Sequence, residues 1–163
     1  MKYIIESYEV FNNSKGGKFW GDRAAGILPI ARDSKRILLN LRSEYVNEPN
    51  QYGVYGGKVD GDETDLSLVA KREFKEESEY SGEIEMIPAY LFKTADGAFS
   101  YQNFIGIIAT EFEPEYDWES QGHLWVTFDE LMDMINNKPN LMHFGLKALV
   151  KNSLGIIKTA TSS

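Results

Sequence analysis

Residues 56–82, GGKVDGDETDLSLVAKREFKEESEYSG, constrain this chain more than any other stretch, because their spacing turns carboxylates toward an interior. A glycine pair opens a turn-rich loop carrying Asp60, Asp62 and Glu63, after which Leu66, Val69, Ala70 and Phe74 recur at helical spacing. At about 100° per residue those four share one face, with Lys71, Lys75, Ser78 and Glu79 on the other. Glu73 and Glu77, one turn apart, point in nearly the same direction as Leu66 and Ala70, with Glu76 at the flank. Three carboxylates in a narrow inward arc repel one another and lose hydration. A cation among them removes the conflict. With oxygen ligands only, no cysteine in the chain and no histidine nearby, that cation should be hard: Mg²⁺, with Mn²⁺ or Ca²⁺ as substitutes. The plainer alternative is a surface helix whose stripe is offset by one residue, so that water screens the glutamates.

Other readings of the loop fail on spacing. A phosphate-cradling P-loop needs four residues between its first glycine and the Gly-Lys pair, whereas Gly53 and Gly57-Lys58 are separated by three, and Val59 follows in place of Ser or Thr. A calcium-binding EF-hand loop would need glycine at Asp65 and glutamate at Lys71.

The same residues resemble the signature of the Nudix hydrolases: Gly, five residues, Glu, seven residues, then Arg-Glu-apolar-any-Glu-Glu-any-Gly-apolar. Gly57 is followed by five residues and Glu63, and later by Arg72-Glu73-Phe74-Lys75-Glu76-Glu77. The chain departs from the pattern twice. Eight residues, rather than seven, separate Glu63 from Arg72, which bears on whether those two side chains can pair. Glu79 stands in the glycine slot with Tyr80 in the apolar one, so Gly82 is expected to take over as helix terminator, since that position favours φ > 0.

Composition agrees with a small acidic enzyme. The 163 residues suit one domain, expected over 1–158 with a flexible polar tail at 159–163. A formal charge of −8 argues against sequence-independent nucleic-acid binding, which depends on neutralising phosphates, but not against a nucleotide carried with a divalent cation. No apolar run approaches membrane-spanning length and the first six residues are too short an apolar core for a secretory signal, so a cytoplasmic location is expected.

Along the chain, residues 3–10 alternate loosely and read as an edge strand that can pair across a homodimer. Residues 24–30 and 37–41 flank a polar turn and read as a β-hairpin, as do 84–93 and 101–110 around Ala95-Asp96-Gly97. Arg42 closes its strand, either as a solvated terminal charge or as a phosphate or base contact. Tyr52 and Tyr55 can stack on a base or pack in the core. An acidic loop at 111–117 is expected to be exposed, His123 to lie in a loop, and Thr127 to cap a helix beginning at Phe128.

The later half, Trp118-Glu119-Ser120, Leu124-Trp125-Val126, Asp129-Glu130-Leu131 and the run from Leu141 to Leu146, is similar to a phage and bacterial Nudix subgroup with ADP-ribose pyrophosphatase-like members. The resemblance implies an α/β/α sandwich with a curved mixed β-sheet. It further implies metal-dependent hydrolysis of the pyrophosphate in a nucleoside diphosphate linked to another moiety, such as ADP-ribose. Under it, Gly57 through its carbonyl and Glu73, Glu76 and Glu77 hold Mg²⁺, with Mn²⁺ as substitute. Glu63 and Arg72 orient loop and helix, Glu73 or Glu119 takes the proton from water, and Arg42 and Tyr55 contact substrate. Glu119 otherwise reads as a surface residue of an acidic loop, and His143 as a cap or packing residue. The alternatives are a (deoxy)nucleoside triphosphate pyrophosphohydrolase and a nucleotide-binding module that keeps the fold without the chemistry.

Overall fold

A computed structural model describes residues 22–162. The strand and dimer contact expected at 3–10 lie outside them. Strand β1 (Asp22–Ala31) is the spine of a seven-stranded mixed sheet. It runs parallel to β6 (Phe99–Ile108) along its whole length, and β6 pairs antiparallel with β5 (Glu85–Lys93). On its other side β1 changes partner. Its first half pairs with β4 (Tyr55–Lys58), from Ala24↔Lys58 to Ile27↔Tyr55, and it meets β2 (Ile37–Arg42) only at Ile30↔Ile37. β2 carries β7 (Ser120–Val126) and the two-residue β3 (Tyr52–Gly53). The sheet is therefore split, with β4-β1-β6-β5 in one half and β3-β2-β7 in the other.

The sequence explains the split. Pro29 cannot donate to a ladder, which restricts it to positions lacking a partner strand on one side. It falls between Ile27, the last residue paired with β4, and Ile30, the one paired with β2. The strand continues past this proline to Ala31 rather than ending there, because β6 supports it on the opposite side. β1 is buried on both faces, as its nearly unbroken apolar sequence requires. Ala25 and Ile27 face one core with Leu38, Phe74 and Phe104, while Leu28 and Ile30 face the other with Leu39, Ile105 and Leu146.

Helix α1 (Leu66–Ser78) covers the first core. α2 (Phe128–Asn137), a 3₁₀ turn at Pro139–Leu141, α3 (Phe144–Asn152) and α4 (Leu154–Ala160) cover the second. This is the expected sandwich. The Thr127 hydroxyl caps α2 by accepting from Glu130 N, and Glu130 reaches back to Thr127 N. α4 includes Thr159 and Ala160, read above as tail. His123 lies in β7 opposite Asn40, not in a loop, with its Nδ1 2.6 Å from the Tyr116 hydroxyl. The acidic loop is anchored rather than wholly exposed, since Glu111 forms two 2.7 Å bonds with Arg36 and Phe112 packs beneath α1.

α1 also corrects the expectation about its end. Gly82 does not terminate it. The helix stops at Ser78, whose buried hydroxyl bonds the Phe74 carbonyl, and Glu79 takes the left-handed conformation at φ 60° while its N–H reaches Lys75 O at 2.8 Å. Gly82 instead lies against the Tyr80 ring, where a Cβ would come within 2.3 Å of the Tyr80 hydroxyl. Left-handed backbone costs a non-glycine residue about 1–2 kcal/mol, partly offset in glycine by its own entropy loss. Glu79→Gly is thus expected to stabilise the protein by about 0.5–1 kcal/mol, a rise of roughly 1–4 °C in melting temperature. A lower melting temperature would show that the Glu79 side chain contributes more than its backbone strain costs.

Candidate active site

The loop before α1 and the helix itself place the motif residues. Asp65 caps α1, accepting from Ser67 N at 3.0 Å and Leu68 N at 3.4 Å, so the helix starts cleanly despite the extra residue upstream. Pairing across that insertion is intact. Arg72 grips the Glu63 carboxylate with Nη2 at 2.9 Å and Nε at 3.3 Å, and the same carboxylate accepts from the Asp60 N–H at 2.8 Å. That backbone bond first, and Arg72 second, hold the Glu63 carboxyl below its ordinary range; Glu63 in turn raises the Arg72 guanidinium.

Arg72 extends to the helix carboxylates as well, with Nη1 2.6 Å from Glu73 and 3.4 Å from Glu76. Glu73 lies against Gly57: a Cβ there would be 2.0 Å from Glu73 Oε1, so the glycine is required by close approach rather than by a turn. Glu76 points outward, with its side chain 59 % exposed. Glu77 is the anomaly, 5 % exposed with Oε2 lacking a hydrogen-bond partner. Burial, then the charges of Glu119 and Glu73, push its carboxyl well above the usual range, and a hydrogen bond with Glu73 raises it further. Two buried carboxyl groups this close disfavour being charged together, which is the conflict that a cation between them would relieve. Glu73 is raised less, because Arg72 opposes its burial.

The structure thus brings Glu73 and Glu77 together and leaves Glu76 at the rim. Among the described residues no three His, Cys, Asp or Glu side chains form a finished metal cage. The donor set nevertheless suits a hard cation: carboxylate oxygens of Glu73 and Glu77, one of them the buried, unpartnered Glu77 Oε2, with Glu73 close against Gly57. The unpartnered hydroxyl of Tyr55, electrostatically coupled to Glu77, adds a second buried polar atom with unmet bonding.

A cavity of about 350 Å³ opens beside this cluster, reaching from Gly56, Gly57 and Glu119 to Phe92, Phe99 and Phe144. Glu119 is half-buried, its carboxyl raised by burial and then by Asp117 and Glu73. Its carbonyl accepts from Ser43 N at 2.8 Å, which ties the Glu119 loop to the end of β2. Arg42 lines the cavity but is not a solvated strand-end charge, since its guanidinium bonds the carbonyls of Asn47 and Glu48. Tyr55 is 1 % exposed and packs edge-on against Phe74 at 5.0 Å, so its ring is enclosed and offers no stacking face. His143 caps α3, with Nδ1 accepting from Gly145 N at 2.9 Å, and burial foremost lowers it to about 3; it is a neutral wall of the cavity. Tyr101, Phe92, Phe99 and Phe144 were not legible as lining residues in the sequence, because the pairing of β5 with β6 and the docking of α3 bring them together.

Paired inward carboxylates, an arginine fork and a close glycine approach lie beside a cavity of small-molecule size in a split mixed sheet, an arrangement that suits the class of phosphoric-anhydride hydrolases. Residues 21–144 match the NUDIX domain family model. The fold matches a Nudix hydrolase from M. smegmatis, RenU, at 16% identity and TM-score 0.66, with 89% of each chain covered. It also matches a C. elegans Ap4A hydrolase in a binary complex, at 17% identity and TM-score 0.61, covering 83% of this chain and 98% of that one. A third match is a Francisella tularensis bifunctional NMN adenylyltransferase/ADP ribose pyrophosphatase complexed with AMP and a Mn ion, at 17% identity and TM-score 0.63; it covers 96% of this chain and 47% of that one. No curated protein sequence matches the chain. The chain belongs to the Nudix family and is a pyrophosphohydrolase of that type. Among the described residues no helix is long and apolar enough to cross a membrane.

Proposed function

We infer that the protein hydrolyses the pyrophosphate of a nucleoside diphosphate linked to a second moiety, ADP-ribose or a similar sugar or dinucleotide, with Mg²⁺ as cofactor and Mn²⁺ as substitute. The observation that carries this reading is the buried Glu77 carboxyl with an unpartnered oxygen, one turn from Glu73, beside a cavity whose far wall is aromatic. The volume lies in the range of small-molecule sites. The charged end suits phosphates and the Phe92, Phe99 and Phe144 end suits an apolar or ring moiety. Two structural neighbours named as an Ap4A hydrolase and an ADP ribose pyrophosphatase support the same substrate class.

Gly57 through its carbonyl, with Glu73, Glu76 and Glu77, would hold the cation. When bound, it offsets phosphate charge and lowers the pKa of coordinated water. The protein's own groups do the rest. Arg72 holds Glu73 in place and keeps the carboxylate cluster from self-repulsion. Glu119 takes the proton of the attacking water, because Glu73 is engaged by Arg72 while the Glu119 carboxyl is raised toward the range of an effective base. The water oxygen bonds phosphorus, the bridging P–O bond breaks, and its electron pair leaves with the departing phosphate.

The test is product release from ADP-ribose, NADH, diadenosine tetraphosphate, GDP-mannose and the four deoxynucleoside triphosphates, with Mg²⁺ and again with EDTA. Cleavage of a linked diphosphate, abolished by EDTA, is expected. Exclusive cleavage of triphosphates would replace this reading with triphosphate pyrophosphohydrolysis. No cleavage, alongside a nucleotide-induced rise in melting temperature, would replace it with a binding module.

A further inference from the structure

Tyr101 is the side chain at the cavity floor that the mechanism above leaves unused. It lies on β6, opposite Ala24 of β1 and Phe92 of β5. Its ring reaches over two strands. Gly26 on β1 and Gly56 on β4 are register partners, and a Cβ on them would lie 2.1 Å and 2.2 Å from the Tyr101 hydroxyl oxygen. The phenol therefore occupies a trough that exists because both facing positions lack side chains. The trough brings the hydroxyl to the backbone of the glycine pair, on the opposite sheet face from the space that Gly57 leaves for Glu73. Tyr101 also lies within electrostatic reach of Glu77, Arg42 and Glu73, and lines the same cavity as Arg42 and Glu119.

Packing alone does not account for the oxygen. A phenylalanine would cover the same strands, whereas this half-buried side chain lines the cavity and its hydroxyl makes no hydrogen bond among the described residues. Like any phenol near neutral pH it is protonated and can donate, and burial foremost raises it further. We propose that the Tyr101 hydroxyl donates a hydrogen bond to a phosphate oxygen of the bound substrate. The inference rests on reading the cavity as a pyrophosphate site. Tyr101 is then a phosphate-binding residue, and Gly26 and Gly56 are the positions that give it room.

The test compares wild type with Tyr101→Phe in three measurements: calorimetric affinity for inorganic pyrophosphate with Mg²⁺, melting temperature, and kinetics on whichever panel substrate the wild type cleaves. A hydrogen bond to a charged phosphate predicts affinity at least about tenfold weaker in the variant, with the melting temperature unchanged or higher. A raised KM or lowered kcat/KM should accompany it. Equal pyrophosphate affinity in the two proteins overturns the inference, as does failure of the wild type to bind pyrophosphate. If the wild type cleaves a panel substrate and the variant matches it, only Tyr101 loses its role. If nothing is cleaved but binding depends on Tyr101, the phosphate contact stands and the hydrolytic reading falls.

Discussion

Glu77→Gln is expected to lower turnover by about 10²–10³-fold or more, the cost of removing one carboxylate from the set that would hold the cation opposite the reacting phosphate, while the protein melts at the same temperature or higher. The two effects have one cause. Glu77 is buried with an unpartnered oxygen and is raised by burial, Glu119 and Glu73. In the absence of a cation that carboxyl is a liability, and a neutral amide of the same shape relieves it. With a cation, the missing charge weakens binding. Melting curves with and without Mg²⁺ read this directly: the wild type should be stabilised by Mg²⁺, and Glu77→Gln should be stabilised less at the same concentration. A variant that retains full activity and the full Mg²⁺ response would remove Glu77 from the site.

Gly57→Ala should separate activity from stability in a different way. The added methyl would lie 2.0 Å from Glu73 Oε1 and 2.5 Å from Cδ. The clashing atoms are the end of a flexible side chain, so the carboxylate can swing aside at small cost to the fold, below about 1 kcal/mol. In swinging it leaves the Arg72 Nη1 contact at 2.6 Å and the position from which it would hold a cation. A displacement of about 1 Å at a reacting centre costs on the order of 10²-fold in rate. Rate measurements and thermal melts on one preparation check both halves. Near-normal kcat would mean that the Glu73 placement against Gly57 has no part in the chemistry.

Much of this site was legible in the sequence because α1 is a local object. Val69, Ala70 and Phe74 set its phase, and once the phase is fixed Glu77 must face inward and Glu76 outward. The hairpin of β5 and β6 and the Thr127 cap were legible for the same reason, being set by neighbours in the chain. What was not legible depends on strands distant in sequence. Tyr55 and Tyr101 are both aromatic strand residues, yet one is enclosed under α1 and the other points into the cavity, because β4 pairs with β1 in a register that only the folded sheet fixes. His123 joined β7 through pairing with β2, and Glu79 took a backbone conformation that its side chain disfavours because the helix had to stop there.

The insertion between Glu63 and Arg72 was the sequence feature that most weakened the family resemblance, yet the two side chains meet in a fork. What is constrained is a meeting point, fixed at one end by the Asp60 N–H and at the other by the helix start at Asp65.

The change of partner along β1 has a wider consequence. The glycine pair and Tyr101 ride on one half of the sheet, while Arg42 and the loop at 43–51 extend from the other, and β1 and β2 pair only through Ile30 and Ile37. The proposed catalytic end and one wall of the cavity are thus borne on separate platforms whose strands join at one register pair. Rewriting 43–51, from which Asn47 and Glu48 line the cavity, is expected to alter what the cavity admits without disturbing the register that places Gly57 under Glu73. A fold arranged this way would let one loop change the ligand while the carboxylates stay where they are.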